Sequence, residues 1–429
     1  MKIHFLGIGG SGASAVAAIA RANDFEVTGC DLNPYNEFTR DFPTNMLQTG
    51  HSASHLTDGV DFLIVTPAIF SLDPENEELL EAQKRNIPVL TWQEFMGQYL
   101  EKDHFVIAVS GTHGKSTTTA MIALMLEDAG LDPTVELGAI VPKWGKNYRV
   151  GLPAGRQGRI FITEADEFND NFLATIPDIA VVTNIEMDHP EYFKDFTAVK
   201  DSFQKFLLKT KNTIVANISD SGVSEVLKVL MKETGVKCLD YSKNKLSLDL
   251  LVPGEFNVLN AKAAFAVGLL LGLTPAQIIK SLNNYAGIGR RFELVGKIKG
   301  ADTYSDFGHH PTEIKTTLKA ATEKFPNTKI WLIYEPHMFS RTLNLFDDFV
   351  EVFQNLPAYQ ILITDIYPSR EIDTGKVNSQ KLVTAINRSN VDFVLKEDIE
   401  KILKSEVRPE DKIFFMGAGD IDKIARKLV

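Results

Sequence analysis

Short runs of β-branched and aromatic residues recur along this chain, and most are followed by a glycine or small polar residue and then a helical stretch. "KIHFLGI", "DFLIVTPAI", "FVIAVSG", "IFITEAD", "IAVVTNI", "NTIVAN", "KIWLIYE", "YQILITDI" and "KIFFMGAG" are the clearest. Several are apolar at nearly every position, which a strand with one wet face would not be. Strands covered on both faces and joined by crossover helices have this character, so the pattern predicts an α/β fold of parallel sheets. The pattern starts afresh along the 429 residues, which predicts three domains: 1–100, 101–287 and, from the "GIGRRFE" stretch onward, 288–429. The Gly- and Pro-rich "GLPAGRQGR" at 151–159 reads as a surface loop.

A net charge of −11 argues against nucleic-acid or anionic-membrane partners, which need clustered Lys and Arg. An anionic ligand must then be held by a local site. Cys30 and Cys238 lie far apart without metal or redox spacing; they suggest a reducing cytoplasm and read as small buried apolar residues. The N-terminal apolar run is broken by glycines where a signal peptide would be helical. "AAFAVGLLLGL" at 263–273 is too short to span a bilayer and reads as a core helix. The expectation is a soluble cytoplasmic protein without membrane insertion.

Two glycine loops stand out. "GIGGSG" (Gly7, Gly9, Gly10, Ser11, Gly12) follows one strand, opens a helix, and is followed by Asp31 at the end of the next strand. This is the context of a dinucleotide-type fingerprint, in which a helix N-terminus takes a pyrophosphate and the acid a ribose hydroxyl. The bland alternative is a glycine turn that lets helix and strand pack closely. "GTHGKSTTT" lies between the strand "FVIAVS" and an apolar helix, but Val109 stands where a standard phosphate loop has its first glycine. Its functional reading uses the backbone N–H groups of 111–116, Lys115 as a point charge on phosphates, Ser116 on Mg2+, and Thr117–Thr119 on first-turn N–H groups or phosphate oxygens.

Acids end the neighbouring strands: Glu164, Asp166 and Glu167 in "ITEADEFND", and Glu186, Asp188 and His189 in "VVTNIEMDH". Strand C-termini are where open α/β sheets bind ligands, and such a set beside a lysine loop suits one or two Mg2+ ions bridging ATP oxygens. Further on, His309–His310 are possible zinc ligands or core residues, without further ligands at metal spacing. Arg290, Arg291, Arg341 and Arg370, in or near turns, suit carboxylate or oxyanion recognition. "GAGDI" at 417–421 reads as an ordinary strand-to-helix turn.

Taken in order, "HFLGIGGSG", "GTHGKSTTT", "EADE", "TNIEMDH", "VPGEFNVLNA", "GIGRRFE", "DFGHHPTEI", "EPHMFSRT", "DIYPSRE" and "MGAGDI" resemble the motif series of the Mur ligases over nearly the whole chain. The resemblance implies a shortened phosphate loop, G-T-[NH]-G-K-[ST], so Val109 is no defect. It implies a Rossmann-like UDP-binding domain, a central ATPase-type domain and a C-terminal Rossmann-like domain, and no NAD. Gly7, Gly9, Gly10, Ser11, Gly12 and Asp31 would hold a UDP-sugar. Gly111, Thr112, His113, Gly114, Lys115, Ser116 and Thr117 would hold ATP, with Asn257 and Asn260 on the adenine side, Arg291 on phosphates and Asp306 on the ribose. Ser116 and Glu164 would bind one Mg2+ and His189 a second. Phe307, His309, His337 and Arg341 would line the amino-acid and acyl-phosphate site.

The implied reaction joins L-alanine to UDP-N-acetylmuramic acid with ATP through an acyl phosphate, in a monomer or homodimer whose third domain closes over the second. Phe307 stands where the family carries Tyr, and Met338 where many relatives carry Arg or Thr. Attachment of a ready-made tripeptide to the same UDP-sugar, and a nucleotide-binding relative without catalysis, are the alternatives.

Overall fold

The computed structural model describes residues 1–429 apart from 152–158, Thr234 and Arg370, so the expected 151–159 loop and Arg370 lie essentially outside the described residues. The strands form three sheets. In the first, β1 (Lys2–Leu6), β2 (Glu26–Asp31), β3 (Leu47–Thr49), β4 (Phe62–Val65) and β5 (Val89–Thr91) pair in parallel in the order β3-β2-β1-β4-β5. The chain reverses its direction of winding between β1 and β4. That is the point at which an open parallel sheet leaves a crevice at its carboxyl edge.

The second sheet has β6 (His104–Ser110), β7 (Thr134–Val141), β8 (Lys146–Arg149), β9 (Arg159–Glu164), β10 (Ile179–Val182), β11 (Thr213–Ala216) and β12 (Lys237–Asp240), in the order β12-β11-β10-β6-β9-β7-β8. Among the described residues of this sheet only β7 and β8 pair antiparallel. The third has β13 (Glu293–Ile298), β14 (Ala301–Asp306), β15 (Ile330–Tyr334), β16 (Gln360–Ile363), β17 (Val391–Phe393) and β18 (Lys412–Met416), in the order β13-β14-β18-β15-β16-β17, with only β13 antiparallel to its neighbour.

The fold class is therefore α/β, and each of the nine runs read above as strands supplies one. The short edge strands β3, β5, β8 and β17 have too few residues to carry an alternation that sequence alone would reveal. The described residues divide into two compact units. Met1–Glu186, Phe196–Leu248 and Leu259–Asn283 make one; Met187–Asp195, Asp249–Val258 and Asn284–Val429 make the other. Within the first unit the first two sheets are directly tied, for the Asn147 side chain on β8 donates to the Ser11 carbonyl at 2.7 Å.

The cores explain why the central strands are apolar throughout. Ile107, Ala108 and Val109 of β6, Ala180 to Val182 of β10 and Ile330 to Tyr334 of β15 are all buried. No helix is long and apolar enough to cross a membrane among the described residues; "AAFAVGLLLGL" falls largely in the helix Glu255–Leu270, with Ala263 to Val267 buried. Behind the second sheet, Phe172 stacks on Phe206 at 4.6 Å between centroids and meets Phe203 edge-on at 5.3 Å. Phe206→Ala leaves a cavity in this cluster and should cost ~3–5 kcal/mol of stability. Ile372→Ala, at an exposed position, should cost less than ~0.5 kcal/mol. Urea unfolding of both variants checks this; equal midpoints would contradict the packing described.

Candidate active site

The glycine loop after β1 sits at the switch point of the first sheet. Gly7 has φ of +90°, and a Cβ there would lie 2.6 Å from Thr66 Cγ2 beyond β4, so no other residue fits this turn. The helix Ser11–Ala22 then begins with Gly10 as its N-cap and no side-chain cap, which leaves its first N–H groups directed at the crevice. Asp31 is placed to organise this loop: Oδ2 accepts from Gly9 N at 3.0 Å and Oδ1 from Asn33 N at 2.9 Å. What the structure shows for Asp31, expected from sequence to meet a hydroxyl, is a role in shaping the turn. The Asn36 amide donates to the Gly9 carbonyl at 3.0 Å from the opposite side.

In the second sheet β6 lies between β9 and β10, with Val109 opposite Glu164 and Ser110 opposite Val182. Strand order alone therefore brings the acids after β9 and the Thr183–Glu186 segment after β10 to the lysine loop. The loop is built onto that segment. Thr112 N donates to the Asn184 carbonyl at 3.0 Å, His113 N to the Asn184 side chain at 2.9 Å, and Thr183 Oγ1 to the His113 carbonyl at 2.6 Å. Gly114 has φ of +84° and abuts the Asn260 amide, whose Oδ1 lies 2.6 Å from where a Cβ would be. Asn260 is thereby placed against the loop, whereas Asn257 donates from its side chain to the Pro253 carbonyl at 2.6 Å in the second unit.

Lys115 opens the helix Lys115–Asp128 and turns back over the loop. Its Nζ donates to the Gly111 carbonyl at 2.8 Å and to Glu167 Oε2 at 2.8 Å, and lies 3.5 Å from Asp166 Oδ1. Burial alone would lower its pKa, but Glu167 and Asp166 together hold it above the usual lysine range, so the ammonium is charged. Glu167 as the counter-ion was visible in sequence only as one of several turn acids. Ser116 follows in the first turn, and Glu164 at the end of β9 accepts from Gly138 N. Behind it Glu136, bonded by the Thr163 hydroxyl at 2.8 Å, is pushed up to about 8 by burial and by Glu164. Thr118 and Thr119 are buried with hydroxyls that have no hydrogen-bond partner among the described residues, and the helix has no side-chain cap. The capping expected of the threonines is therefore not seen.

The second unit gathers a separate group at the carboxyl edge of the third sheet. Arg341, 2% exposed, donates from Nε and Nη2 to Asp188 Oδ1, each at 3.0 Å. Burial would raise Asp188, but His189, Arg341, His309 and His310 hold it well below the ordinary carboxylate range. His189, with φ of +53°, bonds its own N–H to Asp188 Oδ1 at 2.7 Å and places Nδ1 3.3 Å from Glu191. Arg341 Nη1 and His337 Nδ1 are 3.2 Å apart, and the His337 ring lies 5.7 Å from that of His309. Met338 between them has φ of +73°, a conformation costly for a side chain of its size, and is held there by its N–H on the Tyr367 carbonyl at 2.8 Å.

Asp306 ends β14 with both oxygens engaged, Oδ1 by Gly308 N at 2.8 Å and Oδ2 by Phe292 N at 2.9 Å; burial pushes it up to about 6. Glu313, which sequence reasoning missed, ties the group together. It accepts from His309 N at 3.0 Å and from His310 N at 3.3 Å, and lies 3.3 Å from Arg291 Nη1. His310 is the N-cap of the helix Pro311–Lys324. The Phe307 ring lies under Arg290 at 4.7 Å and Arg291 at 5.1 Å, a pair of cation–π contacts that needs no hydroxyl. "GAGDI" does connect β18 to the helix Ile421–Leu428.

His309 carries a titration signature. Burial and the adjacent Arg341 push it down to about 3, against the pull of Glu313 and Asp188. A histidine depressed in the folded state takes up its proton on unfolding, so its contribution is intact above pH 6.5 and is lost as pH falls from there toward 3. His309→Gln should therefore flatten the loss of stability across that window by up to ~1.4 kcal/mol per pH unit. Denaturant unfolding at a series of pH values checks this; parallel curves for the two proteins would contradict it.

The chain matches the Mur ligase family, catalytic domain over residues 2–104, the Mur ligase middle domain over 109–251, and the Mur ligase, glutamate ligase domain over 290–419. It is 35% identical to the UDP-N-acetylmuramate–L-alanine ligase of Clostridium tetani, covering 98% of this chain and 96% of the relative. It is 36% identical to that of Acetivibrio thermocellus, covering 98% and 94%. Among solved structures, the UDP-N-acetylmuramate–alanine ligase of Thermotoga maritima superposes with a TM-score of 0.80 at 28% identity, covering 100% of this chain and 98% of that one. A murein peptide ligase from Psychrobacter arcticus shares the fold, with a TM-score of 0.71 at 24% identity over 100% and 98% of the two chains. With all three domains matched and relatives aligned from end to end, the chain belongs to the Mur ligase family.

Proposed function

We propose that this protein joins L-alanine to the carboxylate of UDP-N-acetylmuramic acid, with ATP as the energy source, in peptidoglycan precursor synthesis. The observation that carries the reading is Lys115, fixed over a glycine loop by Glu167 and Asp166 at the carboxyl edge of a parallel sheet. The names of its relatives support the amino acid and the sugar nucleotide. The two glycine loops take different nucleotides: Gly7–Gly12 the UDP-sugar, and Gly111–Thr117 the ATP. Residues 1–100, 101–287 and 288–429 are the corresponding domains.

A carboxylate is a poor electrophile, so the chain must first convert it to an acyl phosphate. Lys115 and the loop N–H groups stabilise charge on the transferred phosphoryl group, a step that is mainly positioning and electrostatics. Ser116 and Glu164 offer only oxygen donors, the kind that suits Mg2+, and would hold one such ion, while His189 is assigned to a second. Bound Mg2+ supplies neutralisation of phosphate oxygens. In the second unit Arg291 is assigned to phosphates, while His309, His337 and Arg341 are assigned to the amino acid. His309, held neutral, is assigned to orienting the incoming amine and not to acting as a strong base, and Phe307 with Met338 shapes the side-chain pocket.

Phosphate release from ATP with UDP-N-acetylmuramic acid and a panel of amine donors tests this function. Release that depends on L-alanine supports it, and preference for the L-Ala-γ-D-Glu-diamino-acid tripeptide would move the chain to the alternative substrate. Lys115→Ala should lower turnover by ~10^2–10^3-fold or more while UDP-sugar affinity stays nearly intact. Loss of UDP-sugar binding in that variant, read by calorimetry, would contradict the assignment of two loops. His189→Ala should raise the Mg2+ concentration needed for half-maximal rate; an unchanged titration would remove His189 from the metal shell.

A further inference from the structure

The first sheet carries a second constellation, on which the proposed reaction makes no demand. His4 on β1 pairs across the sheet with Thr28, and Cys30 is two residues further along β2, so both side chains share one face. Over that face lie His55, which ends the short turn Ala53–His55, and Glu78, in the first turn of the helix Glu77–Arg85. His4, Cys30 and Glu78 are fully buried. His4 Nε2 is 3.2 Å from Glu78 Oε2, His55 Nδ1 is 3.0 Å from Oε1, and Cys30 Sγ is 3.0 Å from Oε1. One ligand atom from each of the four lies within 4.8 Å of all the others.

We infer that His4, Cys30, His55 and Glu78 form a site for a divalent transition-metal ion of the zinc type.

The donor set is one thiolate, two imidazoles and one carboxylate, which selects zinc-like ions over Mg2+ or Ca2+. Ligands at ~2.0 Å for nitrogen and oxygen and ~2.3 Å for sulfur span tetrahedral edges of ~3.3–3.5 Å; the contacts to Glu78 at 3.0–3.2 Å are close to that spacing, and the remaining pairs, within 4.8 Å, close onto it by side-chain rotation. His4 Nδ1 is already engaged by the Thr28 hydroxyl at 2.8 Å, the outer contact that fixes a ligating imidazole and turns Nε2 inward. His4 Nε2 and Glu78 Oε2 are buried and face one another at 3.2 Å, with no other hydrogen-bond partner for either atom among the described residues. A dipositive ion also balances one thiolate and one carboxylate, leaving a neutral buried cluster.

Glu78 is already a carboxylate: burial would raise it, but His4, Cys30 and the Ser52 N–H hold it at about 2. Burial and Glu78 push the Cys30 thiol up, so metal binding must displace its proton, which leaves to solvent as the Cys30–metal bond forms. His55 is partly exposed and marks the entry side. The Cys30 carbonyl accepts from Gly7 N and Ile8 N at 2.9 and 3.1 Å, so the ion would brace the strand from which the glycine loop hangs. Cys30 is then a ligand and not the inert apolar residue that its sequence spacing suggests.

The test is titration of chelator-treated, full-length protein with Co2+, with saturating Mg2+ and ATP present to occupy the ligase site. A thiolate-to-cobalt charge-transfer band should grow to saturation at one equivalent and vanish on addition of Zn2+. Cys30→Ser should abolish the band, Cys238→Ser should leave it, and His55→Gln should weaken binding by more than ~10-fold, the loss already typical of outer-shell partners. The partly exposed His55 keeps the test informative if a buried variant fails to fold. No thiolate band in the unmodified protein, or a band that survives Cys30→Ser, would overturn the proposal.

Discussion

The lysine at the first turn of Lys115–Asp128 is the constraint on which the first unit is arranged. A partly buried ammonium is favoured beside paired charge, and Glu167 with Asp166 supplies it. Removing either side of such a pair leaves an uncompensated charge, at a typical cost of ~3–5 kcal/mol. The pairing requires β9 beside β6, and the loop's own shape requires β10 on the other flank, where Asn184 and Thr183 bind it. Strand order and charge thus specify one another. A lysine held by two carboxylates is also restrained until stronger anions compete for it, as the phosphates of ATP do by carrying more charge.

The second unit solves a related problem with opposite sign. Asp188 is the buried anion there, and Arg341 meets one of its oxygens with two N–H groups. Around that pair Glu313 orders Arg291, His309 and His310 from a single side chain. The result is a cluster of cations and imidazoles held by named partners, the preorganisation expected where anionic groups are handled. Met338 contributes through strain, since its left-handed backbone sets the direction of the helix that bears Arg341.

Sequence made the sheets legible because their central strands are buried on both faces, and burial leaves an uninterrupted apolar signature. It made the loop residues legible because glycine, lysine and serine at fixed spacing have few structural uses. It did not reveal which of Glu164, Asp166 and Glu167 would pair with Lys115, since three acids within one turn differ only in the direction the backbone gives them. Nor did it reveal Glu313, which reads as an ordinary first-turn helix acid. Asp306, assigned to a ribose from motif resemblance, has both oxygens on backbone N–H groups, a use that no residue pattern announces. The His4–Cys30–His55–Glu78 cluster was hidden for a further reason: its members come from two strands, a turn and a helix, with no motif spacing to link them.

The central claim is that the chain activates a carboxylate by phosphoryl transfer before any amine attacks. The most direct measurement uses UDP-N-acetylmuramic acid whose carboxylate carries heavy oxygen, with ATP, Mg2+ and L-alanine, and determines the mass of the phosphate released. Activation through an acyl phosphate requires one labelled oxygen to leave the sugar nucleotide and appear in inorganic phosphate at each turnover. Turnover that yields unlabelled phosphate would contradict it, because the carboxylate oxygen would never have been bonded to phosphorus.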